Sequence, residues 1–300
     1  MPVYFYPIFS ALLWAISVPI LNIGLKKIAD DSPFDILWPL FYAIATGAIC
    51  AYLFGMNQPE TINFQSQHHS FFLIAAGILT YPLATGSYYL AGLLFKDRIE
   101  LASQFSKAKP GLTLLLALVF LPVAMQGSFS TLGLLFLFMG IGTYIYAGLK
   151  KDVSLAGAGL GLTTALLWSL GEISMKYGVG NYGGFTANFY ALCYGALFLL
   201  PIVIFLTLIG KIRFQLPTAN IPFLLHGIIS FYLAYSLFFT GIDKLGVIPT
   251  VVINSFWPLL ALIITTVLYK INNHPTHTPK IIWLGSLLFL SSGLVTILAQ

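Results

Sequence analysis

From Gly111 to Leu121 the chain reads GLTLLLALVFL without a charge, and runs of the same kind recur from one end to the other. A bilayer core is about 30 Å thick, and a helix needs roughly 20 apolar residues to cross it. Backbone in lipid can satisfy its own hydrogen bonds only as a helix or a closed barrel. These runs are too long for barrel strands and lack their two-residue alternation. Helices are therefore predicted at 3–25, 33–55, 70–93, 99–121, 129–149, 155–177, 184–210, 219–242, 247–269 and 280–299. Joints such as KKIADDSP, GVGNYGG and YKINNHPTHTPK carry the turn and boundary residues expected between them. Ten helices and short loops consume nearly all 300 residues, so the fold class is an all-α integral membrane protein. Only 8% of residues are charged, about a third of the share in a soluble domain, which excludes a water-soluble globule.

The scarcity of polar chemistry excludes other classes too. The net charge of +5 is scattered in ones and twos at segment ends, so no basic run exists to follow a phosphate backbone, and nucleic acid is not a partner. Cys50 and Cys193 lie inside apolar runs and read as small buried hydrophobes. His274 and His277 stand three apart in a proline-containing loop with no acid or cysteine beside them, so no metal site is expected. No Ser/His/Asp set is present, and no enzyme, catalytic residue or cofactor is expected. The first apolar run lacks a basic leader and reads as a retained helix.

The basic residues set an orientation. With ten helices, the loops after the odd-numbered ones hold Lys26, Lys27, Lys96, Arg98, Lys150, Lys151, Lys211, Arg213, Lys270 and Lys280, against Lys176 and Lys244 after the even-numbered ones. The positive-inside rule puts the first group in the cytoplasm and both termini on the non-cytoplasmic side of an inner, or plasma, membrane.

The two halves also resemble each other. ALLW opens at 11 and again at 165; FYAIATGAI at 41–49 matches FYALCYGAL at 189–197; GILTYPLATGSYYLAG at 77–92 aligns with GIISFYLAYSLFFTGI at 227–242. Pro110 corresponds to Pro258, and LG at 132–133 to LG at 284–285, in the same order throughout. A duplicated five-helix unit, 1–150 and 151–300, explains this register. Because five is odd, the second copy enters the membrane from the opposite side. Such inverted repeats enclose a central cavity near the bilayer midplane, and rocking of one repeat against the other gives alternating access.

With these motifs in place, the whole chain resembles the drug/metabolite transporter superfamily, in its EamA-type permease branch. The resemblance implies a basket of ten helices in which helices 1, 3, 4, 6, 8 and 9 line the cavity and 5 and 10 lie at the periphery.

Polar residues inside the runs are the candidates for a substrate site, because intramembrane ionisable groups usually face a wet cavity or a partner. In the fourth helix Glu100, Ser103, Gln104 and Lys107 share a face at helical spacing, with Lys109 roughly opposite Glu100. Glu172 is the acid placed well inside a segment, and its repeat mate is Val18, so the shared scaffold does not require its charge. A structural ion pair with Lys107 or Lys176 is the alternative to a functional role. Trp14 and Trp168 are repeat mates that could wall a cavity or stack on a cation, with Ser17 beside Trp14. Tyr81 and Tyr88 share a face of the third helix, and Tyr235 occupies the matching region of the eighth. The candidate substrate-binding set is thus Trp14, Ser17, Tyr81, Tyr88, Gln104, Lys107, Trp168, Glu172 and Tyr235.

Three functions compete. The first is a secondary transporter of a small polar metabolite, such as an amino acid or related zwitterion, with Lys107 on the carboxylate and Glu172 on the amine. The second carries an organic cation, amine or drug in a box made by Glu172 and aromatic rings. The third is a membrane scaffold without transport. A small-molecule substrate and the lipid bilayer are the expected partners, protons are a candidate coupling ion, and a monomer suffices.

Overall fold

Lipid tails are as apolar as leucine, so helices in a bilayer associate where small residues let their backbones approach. The computed structural model describes residues 2–28, 32–55, 67–94, 105–150, 155–180, 182–271 and 280–299, and among them every regular element is helical. In chain order these are α1 (Phe5–Ile28), α2 (Pro33–Phe54), α3 (Ser70–Leu93), α4 (Lys109–Phe120), α5 (Thr131–Leu149), α6 (Leu155–Val179), α7 (Gly183–Leu208), α8 (Pro217–Leu245), α9 (Val247–Leu268) and α10 (Lys280–Leu298). Among the described residues, α1, α2, α3, α5, α7, α8, α9 and α10 are long and apolar enough to cross a membrane, so the chain is a multi-pass membrane protein. The fourth expected helix, 99–121, departs from expectation: residues 99–104 lie outside the described set, the chain turns at Lys107–Ala108, and α4 keeps 12 residues.

Glycines make the helix crossings, and they do so in matched pairs. A Cβ on Gly77 of α3 would overlap the Ala191 carbonyl of α7, and one on Gly227 of α8 would overlap the Ala43 carbonyl of α2. Gly178 of α6 admits Leu73 of α3, as Gly24 of α1 admits Phe223 of α8. Gly133 of α5 admits Thr296 of α10, as Gly285 of α10 admits Tyr144 of α5. The α5–α10 pair is closed by Tyr144 stacking on Phe289 at 5.4 Å and by the Tyr144–Ser286 hydroxyl contact. Its far face exposes Leu135, Met139, Leu284, Leu287 and Leu294, as a lipid-facing surface does.

Two helices widen where they face the centre. Leu79–Thr85 of α3 and Gly227–Ala234 of α8 are wound as π-helix, a form common at functional sites. In α3 the widening surrounds Pro82, which cannot donate and crowds the preceding turn. In α8 the loosened carbonyls find a partner on α7: Asn188 Nδ2 donates to Phe231 O at 2.8 Å and to Ser236 Oγ at 2.8 Å. Asn188 Oδ1 accepts from the Tyr81 hydroxyl, which joins α3 to the same knot.

Candidate functional site

Proline lacks an N–H and clashes with the carbonyl four residues back. Pro110 and Pro258 therefore undo the helix just before them. The chain turns at Lys107–Ala108 and restarts at Lys109; in α9 it turns at Ser255–Phe256 and restarts at Trp257. The turns are tightened by bonds three residues back, Ala108 N–H to Phe105 O at 3.1 Å and Ser255 N–H to Val252 O at 3.2 Å. Each restart leaves a helix N-terminus inside the protein, with spare amide donors and the positive end of the helix dipole.

Both restarts border one cavity of about 80 Å³. A single water needs roughly 10–15 Å³ on this measure, so the space holds several waters or a small solute. α1 contributes Trp14 and Ser17, α3 contributes Tyr88 and Tyr89, and α6 contributes Trp168. α8 adds His226 and Tyr235; the broken helices add Lys107, Lys109, Asn254, Ser255 and Trp257. These are the elements that the family resemblance implies, and Phe289 of the peripheral α10 closes one side.

The sequence-predicted residues divide into three groups. Trp14, Ser17, Tyr88, Lys107, Trp168 and Tyr235 are brought together at the cavity. Tyr81 is fully buried behind it, its hydroxyl spent on Asn188 and its ring set edge-on to Tyr235 at 5.2 Å. Gln104 lies outside the described residues, as does Glu100. Glu172 is 2% exposed and stands behind the wall rather than in it.

The partner of Glu172 is a correction to the expected Lys107 pairing. Its Oε1 meets the Lys109 ammonium, and its Oε2 accepts from Thr113 Oγ1 at 2.6 Å. Ser169 Oγ lies 2.9 Å from that same hydroxyl and donates to Ala165 O at 2.8 Å. The face argument failed because it assumed a continuous helix of 100° per residue, and the turn at Lys107–Ala108 resets the rotation. Lys109, read as pointing away, is swung into the cavity wall. Its Nζ stands 5.2 Å from the Trp14 ring, 5.9 Å from Trp168 and 5.0 Å from Phe238. Trp14 and Trp168 thus flank a cation, and the cation is the chain's own.

Lys107 is 6% exposed, and its Nζ lies 3.3 Å from the centroid of Trp257. Among the described residues no carboxylate reaches it. Among the described residues, neutral polar atoms are also left over: Trp168 Nε1, Tyr89 OH and His226 Nδ1 are buried without hydrogen-bond partners, on residues that line the cavity. Sequence reasoning undervalued Lys109, Trp257 and His226. The available signal was the pair of prolines, which marks both helix breaks and makes Lys109 and Trp257 their equivalent first residues.

Residues 155–298, which include Glu172, Trp168 and the whole α9 break, match the model of the EamA-like transporter family. A protein of Archaeoglobus fulgidus named as an uncharacterized transporter is 26% identical to this chain over 110 residues. That match spans 37% of this chain and only 38% of the relative. A solved crystal structure superposes with a TM-score of 0.69 at 16% identity, covering 99% of this chain and 97% of its own. At that identity the likeness concerns fold alone, and it runs through both halves.

Proposed function

We propose that the chain is a secondary transporter that moves a small polar metabolite across an inner, or plasma, membrane by alternating access. The observation that carries this reading is the buried Lys107, which lies on an aromatic-lined cavity between two broken helices with no carboxylate partner among the described residues. An uncompensated intramembrane cation is costly and is retained where something binds it. The match of 155–298 to a transporter family adds support.

The architecture that goes with this function is ten helices as two oppositely inserted repeats, 1–150 and 151–300. The three reciprocal glycine crossings support it, because each contact of one half has its mate in the other. So does the recurrence of the proline break in α4 and α9. Rocking of one repeat against the other would expose the cavity to each side in turn. The basic-residue count puts the termini on the non-cytoplasmic side. Glu172 is the candidate carrier if a proton is the coupling ion, and a single copy is sufficient for the mechanism.

The most specific substrate reading is an amino acid. Its carboxylate suits Lys107, but its amine reaches Glu172 only by displacing Lys109. A scaffold without transport is disfavoured by Lys107 on the cavity, since a purely structural interface gains nothing from a buried cation facing a void.

Reconstituted protein provides the test. With Cys50 and Cys193 replaced by serine, a Trp168→Cys variant should react with an impermeant thiol reagent from each side of the membrane in turn, and bound substrate should block the reaction. A cysteine that never reacts, together with absence of solute counterflow, sinks the transporter reading in favour of the scaffold.

A further inference from the structure

We propose that Lys109 is a tethered occupant of a cation site, and that it restricts the cavity to organic anions received by Lys107. This deepens, and rests on, the transporter reading above. A buried carboxylate flanked by tryptophan faces is the arrangement that recognises a ligand ammonium. Glu172, Trp14 and Trp168 make that arrangement, and Lys109 Nζ already fills it. An amine substrate must therefore evict Lys109, and eviction leaves Lys107 and Lys109 as two uncompensated cations beside the newcomer. The amine of a zwitterion meets the same obstacle.

An anion meets the opposite situation. Lys109 and Glu172 neutralise each other, so the charge left to the cavity among the described residues is that of Lys107. No acid lines the cavity there. The two restarted helices, at Lys109 and at Trp257, direct the positive ends of their dipoles toward the same space. The walls that remain are aromatic: Tyr88 lies 5.4 Å from Trp168, Trp14 lies 4.9 Å from Tyr235, and Trp257 sits beneath Lys107. Trp168 Nε1, a donor without a partner among the described residues, adds a further group for an acceptor oxygen. The ligand class that fits is an organic monoanion with a flat apolar body.

Three probes with one skeleton separate the possibilities: 3-phenylpropanoate, phenylalanine and 2-phenylethylamine, which carry a net negative charge, a balanced pair and a net positive charge. Affinities are measured by thermal shift and tryptophan fluorescence on the purified full chain. The wild type should bind the anion at least tenfold more tightly than phenylalanine and show no saturable binding of the amine. Lys107→Gln should erase the anion's advantage. Lys109→Met should gain at least tenfold in amine affinity, and Lys109→Met/Glu172→Gln should not. A wild type that prefers the amine or the zwitterion overturns the proposal, as does failure to bind any of the three. A folded Lys109→Met that ignores the amine also overturns it. If Lys109→Met does not fold, the wild-type ranking and Lys107→Gln decide. Anion binding without counterflow in proteoliposomes would refute transport and leave the anion site standing; counterflow of phenylalanine or the amine in preference to the anion would do the reverse.

Discussion

The break in α4 and the break in α9 have the same backbone and opposite chemistry. SKAKP precedes one restart and NSFWP the other, with proline, turn and new helix in the same register. At the first, Lys109 opens the new helix and holds Glu172; at the second, the equivalent residue is Trp257, which lies under Lys107. The scaffold thus needs a break at both places and a charge at neither. The difference teaches that the backbone break is common to both places, while the ionic contents differ: the lysines sit at the α4 break and their acid, Glu172, comes from α6. Equal consequences of changing the two sites would argue against that division.

The largest contrast is expected at the paired residues themselves. Lys109→Met leaves Glu172 buried without its counter-charge, which costs about 3–5 kcal/mol when one member of a buried pair is removed. Trp257→Phe, its counterpart in α9, should cost less than about 2 kcal/mol, since it weakens a cation–π contact and keeps a ring. Thermal unfolding in detergent reads both, and Lys109→Met/Glu172→Gln should recover most of the loss. Matching losses at Lys109 and Trp257 would erase the contrast.

A smaller effect is expected one turn into α4. Thr113→Val removes the hydroxyl that donates to Glu172 Oε2 at 2.6 Å, and a hydrogen bond to a charged group contributes about 1.5–3 kcal/mol. Urea unfolding should show that loss, and Ser169→Ala should not reproduce it in full, because Ser169 reaches the carboxylate only through Thr113. The smallest effect belongs to the α9 turn. Ser255 Oγ donates to Val252 O at 2.6 Å within the turn, a neutral bond of about 0.5–1.5 kcal/mol, so Ser255→Ala should shift stability by no more than that. A larger loss would mean that Ser255 has a role beyond the turn, and anion affinity measured on the same variant would locate it.

Much of the fold was legible because the bilayer leaves few options. The expected spans 33–55, 70–93 and 280–299 agree with α2, α3 and α10 within two residues. The fourth helix was read as continuous from 99 to 121 although Pro110 stood inside it. The same proline that aligned the repeats also broke the helix, and only its first use was taken up. Six of the nine candidate site residues reached the cavity, since polar and aromatic groups in an apolar run have few other places to face. Tyr81 did not, because Asn188 on a distant helix claims its hydroxyl, and nothing local announces that pairing.

The sequence by itself determined that this is a multi-pass helical membrane protein, where its helices run, and that lysine and glutamate must meet something inside it. Those conclusions follow from hydrocarbon thickness, backbone hydrogen bonding and the cost of charge in lipid, which act on local composition. Which lysine meets Glu172 was decided only by the tertiary structure. The rotation of Lys109 depends on the turn before Pro110, and its reach depends on how closely α4 lies against α6. A change of partner between two lysines two residues apart decides whether the cavity offers a substrate an acid, a base or both.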